Sequence, residues 1–132
     1  MSTKEVWARA LSHVGNGVVI LDEAEIIQLI GPKALTLFGC DAHSIGEGSN
    51  LGEFLTCIGR KVGWSEELIA NVHDNHRKWK STGEDMEIFH HFDDGMIIRI
   101  SYFPSRGNGA VLTYDDVTIE RRLARMVEAR EA

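Results

Sequence analysis

The sequence predicts an α+β domain built on an antiparallel sheet, and three observations carry that reading. Strand-prone runs come in groups separated by short turns near both ends of the chain, which suits hairpins and leaves no length for parallel crossovers. Helical periodicity is concentrated between those groups, so strands and helices are segregated and do not alternate. The last strand-prone run, Ala110-Val111-Leu112-Thr113-Tyr114, passes through Asp115-Asp116-Val117-Thr118 into a charged amphipathic stretch from Glu120 to Val127 with no Pro or Gly. The order is helix, two strands, helices, three strands, helix.

Val6, Trp7, Ala10, Leu11 and Val14 fall on one helical stripe, with Ser2 or Thr3 as its N-cap and Gly15-Asn16-Gly17 as its end. Val18 to Leu21 is a short β-prone run; Asp22-Glu23-Ala24 turns, and Ile26 to Ile30 is the hairpin partner. Gly31-Pro32 opens a helix through about Phe38, with Pro at the first helical position and Leu35 and Phe38 facing the core. From Gly39 to Gly63 the signals weaken, and Leu51, Phe54, Leu55 and Ile58 predict one or two short helical turns inside a glycine-punctuated loop. Ser65 is the N-cap of a long helix, with Glu66 and Glu67 in its first turn, where the helix dipole favours anions. Leu68, Ile69, Val72, His76 and Trp79 share a stripe on it, and Gly83 ends it. Met86–Phe92 and Met96–Phe103 are strands about Asp93-Asp94-Gly95, a hairpin turn, and Arg106-Gly107-Asn108-Gly109 leads to the last strand. The chain divides into a flanking helix (1–16), a core (17–118) and a C-terminal helix (119–132).

Composition narrows the function classes. The 132 residues fit one domain, and a chain of this size buries about two-thirds of its unfolded surface without help from disulfides or metal. The net charge of −6, with acids and bases interleaved, gives no basic stripe for nucleic acid. Cys40 and Cys57 form no C-x-x-C motif and read as reduced, half-buried thiols. Lys4, Glu5 and Arg9 spoil a signal peptide, and no apolar run approaches the ~18 residues of a membrane span, so a cytoplasmic protein without direct membrane contact is expected.

No catalytic constellation stands out. There is no G-x-S-x-G elbow and no P-loop, and Gly46, Gly48 and Gly52 are spaced one residue too long for a dinucleotide fingerprint. The acid pairs Asp22-Glu23 and Asp93-Asp94 lie in hairpin turns, where Asp serves local hydrogen bonding. His73 and His76 sit three apart on one helix, and only one of His90 and His91 could face them across a strand, so no tetrahedral metal set is complete. A non-enzymatic domain without metal is expected.

The element order, with Gly17-Val18-Val19-Ile20-Leu21-Asp22 at the start, Asp94-Gly95 between later strands and Val111 to Thr118 at the exit, resembles the PAS domains of bacterial histidine kinases and cyclic-dinucleotide enzymes. The resemblance implies a five-stranded antiparallel sheet with helices over one face and a sensory role in signal transduction. It implies that the Asp-x-Thr step, here Asp116 and Thr118, couples the sheet to an output helix. Gly31 stands where such domains often carry an Asn before the first core helix, so any side-chain role of that Asn is missing. Flavin-attaching relatives use a Cys in an Asn-Cys-Arg context, which neither Gly39-Cys40-Asp41 nor Thr56-Cys57-Ile58 matches. Haem-binding relatives use a His on the long helix before the third strand. His76, with Val72 and Trp79 on the same stripe, is therefore the candidate ligand for haem or a small metabolite beneath the Leu68–Trp79 helix.

Ile119, Leu123 and Met126 repeat at coiled-coil spacing, and Arg130 occupies the next core position. With Val6 and Leu11 they form the expected interface of a homodimer. The alternative is that this stripe packs on the domain's own sheet. The expected partners are a second copy, other signalling proteins and the output domain of a parent chain.

Overall fold

The computed structural model describes residues 16–105 and 109–131. Its elements are β1 (Gly17–Leu21), β2 (Ile27–Ile30), α1 (Pro32–Thr36), α2 (Leu51–Val62), α3 (Glu66–Thr82), β3 (Met86–His91), β4 (Ile97–Pro104), β5 (Ala110–Asp116) and α4 (Thr118–Glu131). The five strands form one antiparallel sheet in the order β2-β1-β5-β4-β3. The α+β class and the antiparallel sheet with helices over one face are as the sequence predicts. The helix expected over 1–16, with Val6 and Leu11, lies outside the described residues.

Register decides which side chains face the helices. Val19 pairs with Leu112, Tyr114 with Ile100, and Ile100 with Ile88, so their side chains share one face of the pleat. A register shift between Ile20 and Leu21 lets both Ile27 and Ile30 of β2 reach that face, although their odd spacing would otherwise send them to opposite sides. Val19, Ile27, Ile98, Leu112 and Tyr114 are almost wholly buried there, against Phe38, Leu51, Phe54 and Ile58 from the helical layer.

The helical layer holds the main departure from expectation. The region predicted as short turns forms the twelve-residue α2, started by a complete capping box: Asn50 Oδ1 accepts from Glu53 N at 2.8 Å while Glu53 Oε1 accepts from Asn50 N at 3.3 Å. Leu51, Phe54, Leu55 and Ile58 form its buried face. In α3, Ser65 Oγ accepts from Leu68 N, as its N-cap position predicts, and Gly83 closes the helix in the left-handed conformation at φ +67°. Gly17 is required by close approach: a Cβ there would meet Ala34 Cα at 2.8 Å. That gap lets α1 lie directly on β1.

Candidate functional site

Two places in this fold have functional geometry, and β5 runs between them. The first is the joint where β5 becomes α4. Asp116 Oδ1 accepts from Thr118 N at 3.0 Å and from Thr118 Oγ1 at 2.6 Å. The same Thr118 Oγ1 accepts from Ile97 N, at the start of β4, at 2.8 Å. Val117 N donates to Ile97 O, and Val117 O receives the first helical bond from Arg121 N. One hydroxyl thus ties the last strand, its neighbour and the helix start together. Farther along, the Arg121 guanidinium lies 4.4 Å from the centre of the Phe89 ring, and Arg122 donates to Gly95 O.

Beyond that joint α4 stands off the sheet. Ile119 is 71% exposed, Leu123 55% and Met126 57%, with Val127 beside them. At 100° per residue Arg121 falls on the side opposite Ile119, so that side is anchored to β3, while Arg122, which holds the turn, flanks an apolar stripe that faces outward. Packing of that stripe on the domain's own sheet, the alternative reading, is not what the described residues show. Val6 and Leu11 lie outside them.

Thr118→Ala should cost about 1–3 kcal/mol, because it removes the hydroxyl that donates to Asp116 Oδ1 and leaves the Ile97 N–H without its acceptor. It should also re-aim α4. Urea unfolding measures the first effect and amide shifts across residues 119–130 the second; unmoved shifts there would show that the hydroxyl does not set the helix direction.

The second place is a cavity of about 150 Å³ between α3 and the sheet. Val72, His76 and Trp79 all line it, as their shared stripe on α3 dictates. Sequence reasoning did not place Tyr114, Trp64 and Phe92 there, which reach it from β5, the α2–α3 junction and the end of β3. Only the alternation along β5 hinted that Tyr114 points inward. The aromatic wall is continuous: Trp64 stacks on Phe92 at 5.8 Å, and Tyr114 meets Phe38 edge-on at 5.5 Å.

Two polar atoms in this wall have no partner. His76 is 2% exposed; its Nδ1 lies 2.8 Å from Val72 O, and its Nε2 bonds to nothing. Tyr114 is 1% exposed and its hydroxyl is likewise unbonded. Because the Val72 carbonyl can only accept, Nδ1 carries the proton and Nε2 presents a lone pair. Burial pushes the His76 imidazole below its ordinary range, against the smaller opposing effect of the Val72 bond, and does the same to His90 at the cavity's far wall. Burial raises the Tyr114 phenol.

This sets a pH dependence. An unfolded chain protonates His76 near pH 6.5, whereas the folded domain does so only at lower pH, so the unfolded state binds more protons in mild acid. Stability should therefore be steady above about pH 6.5 and fall below it until the folded value is reached. Thermal midpoints between pH 8 and pH 5 for wild type and His76→Gln measure it; an equal acid loss in both would assign the effect to other groups.

His73 lies outside the cavity wall, with Nε2 3.5 Å from Glu25 Oε1, and His91 is exposed on the opposite face of β3. No cluster of three or more metal-ligating side chains is present among the described residues. At about 150 Å³ the cavity lies below the roughly 300–1,000 Å³ of pockets that hold drug-sized ligands. Burial, with a hydrogen bond from its thiol to neighbouring Cys57, pushes Cys40 up to about 12, so it stays protonated at neutral pH. No helix among the described residues is long and apolar enough to cross a membrane.

Sheet order, one-sided helical cover, a partly open cavity and a strand-to-helix exit are together the architecture of a sensory module of signal-transduction proteins. A family model described as the PAS fold matches residues 11–125, and the chain belongs to that family. Among solved structures it is similar to the PAS domain of BvgS from Bordetella pertussis, with a TM-score of 0.67 and 16% identity over 96% of this chain and 95% of that one. It is also similar to a domain of an HTR-like protein from Haloarcula marismortui, with a TM-score of 0.52 and 15% identity over 77% of this chain and 97% of that one. At such identities the likeness is one of fold. No curated protein matches the chain in sequence.

Proposed function

We propose that this PAS domain is the sensor part of a two-component histidine kinase or a related regulator, and that it acts as a dimerisation and relay module. The observation that carries the reading is the stand-off of α4: Ile119, Leu123 and Met126 point to solvent from a helix whose base is tied to β4 and β5 through Thr118. A short helix gains most of its stability by burying its apolar face, so this one suits a matching helix of a second copy. The joint at Asp116 and Thr118 would then convert a shift of the sheet into a change of helix direction for an output domain of the parent chain. The acidic balance and the two free thiols fit a cytoplasmic setting, without nucleic acid or direct membrane contact. Native mass spectrometry at tens of micromolar, well above the ~μM dissociation constants of modest interfaces, should give twice the chain mass. A monomer alone removes the dimer.

A second reading has its own observation. The unpartnered His76 Nε2 and Tyr114 hydroxyl in one cavity suit a domain that senses a small ligand there. Tyr114 lies two residues before Asp116 on β5, so a ligand bonded to its hydroxyl would pull on the strand that sets the exit.

A further inference from the structure

We propose that the cavity beneath α3 takes a small, uncharged, single-ring aromatic compound carrying one O–H or N–H donor, phenol being the simplest member. The inference rests on the ligand-sensing reading and adds the chemical class. Three properties of the wall fix that class.

The first is charge. The lining residues include no Asp, Glu, Lys or Arg, so an ionic ligand would be stripped of water with no opposite charge to meet it. The second is size and shape. A partly open space of about 150 Å³ matches one benzene-sized ring. Phe38, Trp64, Trp79, Phe92 and Tyr114 supply the ring faces and edges that a flat aromatic guest packs against.

The third is hydrogen-bond polarity. With Nδ1 held by Val72 O, His76 Nε2 is an acceptor only, so the guest must donate. The Tyr114 hydroxyl, the other unpartnered polar atom of the lining, can both give and take. Leu68, Asn71 and Asn75, the exposed members of the lining, mark the side from which a guest would pass under α3.

The test is an amide and indole NMR titration of the whole chain with phenol, toluene and benzoate. Phenol, neutral at pH 7, should give saturable shifts at the Trp64 and Trp79 indole N–H groups. Toluene, the same ring without the donor, should bind at least about ten-fold more weakly, the scale of one lost hydrogen bond. Benzoate should give none. His76→Phe keeps a ring and deletes the acceptor, so it should abolish the preference for phenol over toluene, and Tyr114→Phe should reduce it if His76→Phe does not fold. Absence of saturable phenol shifts, equal binding of phenol and toluene, or binding of benzoate overturns the class. A co-purified ion or non-aromatic metabolite in the native mass spectrum would also overturn the class and leave ligand sensing standing. Phenol bound at the indoles with residues 119–130 unmoved would keep the class and remove the sensing.

Discussion

Phe54→Ala should destabilise the domain by about 3–5 kcal/mol, the range for truncating a buried aromatic that neighbours cannot replace. Phe54 is wholly buried in the first turn of α2. Its ring meets Tyr114 edge-on at 5.9 Å and Phe38 at 6.5 Å, so one side chain clamps α2 to β5 and to the segment after α1. A small domain has about 5–15 kcal/mol of total stability, so the loss is a large share of it. Urea unfolding should show a lower midpoint with an unchanged slope, because the surface exposed on unfolding is nearly the same. A loss under about 1 kcal/mol would mean that the aromatic cluster relaxes around the gap and that α2 is held chiefly by its cap and its contact with α3. Tyr114 forms part of the cavity wall, so the variant should also widen the ligand range.

The contrast between α2 and α3 shows what the sequence could and could not disclose. The start and end of α3 were legible because Ser65, Glu66, Glu67 and Gly83 act locally, through a cap, the helix dipole and a left-handed terminal residue. The turn at Asp93-Asp94-Gly95 was legible for the same reason: Asp94 Oδ1 accepts from Met96 N, and Gly95 adopts φ +92°. In α2 the local signals conflict. Gly52 and Gly59 weaken it by about 1 kcal/mol each relative to Ala, while the Asn50–Glu53 capping box and the apolar run Leu51, Phe54, Leu55, Ile58 favour it. Tertiary burial settles the matter, and the glycines prove useful in place: a Cβ on Gly59 would meet the Ile69 side chain of α3 at 2.5 Å.

The site divides along the same line. Val72, His76 and Trp79 come together because helical spacing alone puts them on one face of α3. Asp116 and Thr118 are two residues apart in sequence, so their mutual bonds are local. Tyr114, Trp64 and Phe92 converge on the cavity only through strand register and the path of the chain between α2 and α3, which no local rule encodes. The bulge that lets Ile27 and Ile30 share a face, and the contact of Cys40 with Cys57, are of that kind too.

Leu123→Asp should turn a dimer into a monomer while leaving the core intact. The argument starts from exposure: Leu123 is 55% exposed in the single chain, so within one protomer its replacement removes little packing, and surface changes of this kind stay within about 0.5 kcal/mol. In a symmetric pairing of α4 helices the same residue lies between Ile119 and Met126 at the middle of the shared seam. Burying a leucine there contributes roughly 1.5–3 kcal/mol per copy, and two aspartates in its place would bring like charges together in a desolvated contact. Light scattering at tens of micromolar should therefore give the dimer mass for wild type and the monomer mass for the variant, with the far-UV dichroism of the sheet unchanged and the thermal midpoint lowered only toward that of dilute wild type. A variant that remains dimeric places the seam elsewhere, with the Val6 and Leu11 stripe as the next surface to mutate. A variant that loses its sheet would mean that Leu123 supports the core, against its exposure. The Arg121 contact with Phe89 and the Arg122 bond to Gly95 O hold the base of α4 in either case. The helix should therefore keep its direction at the joint after the partner is gone, and amide shifts at Thr118 to Arg122 that stay fixed while those beyond Leu123 move would separate loss of pairing from loss of the joint.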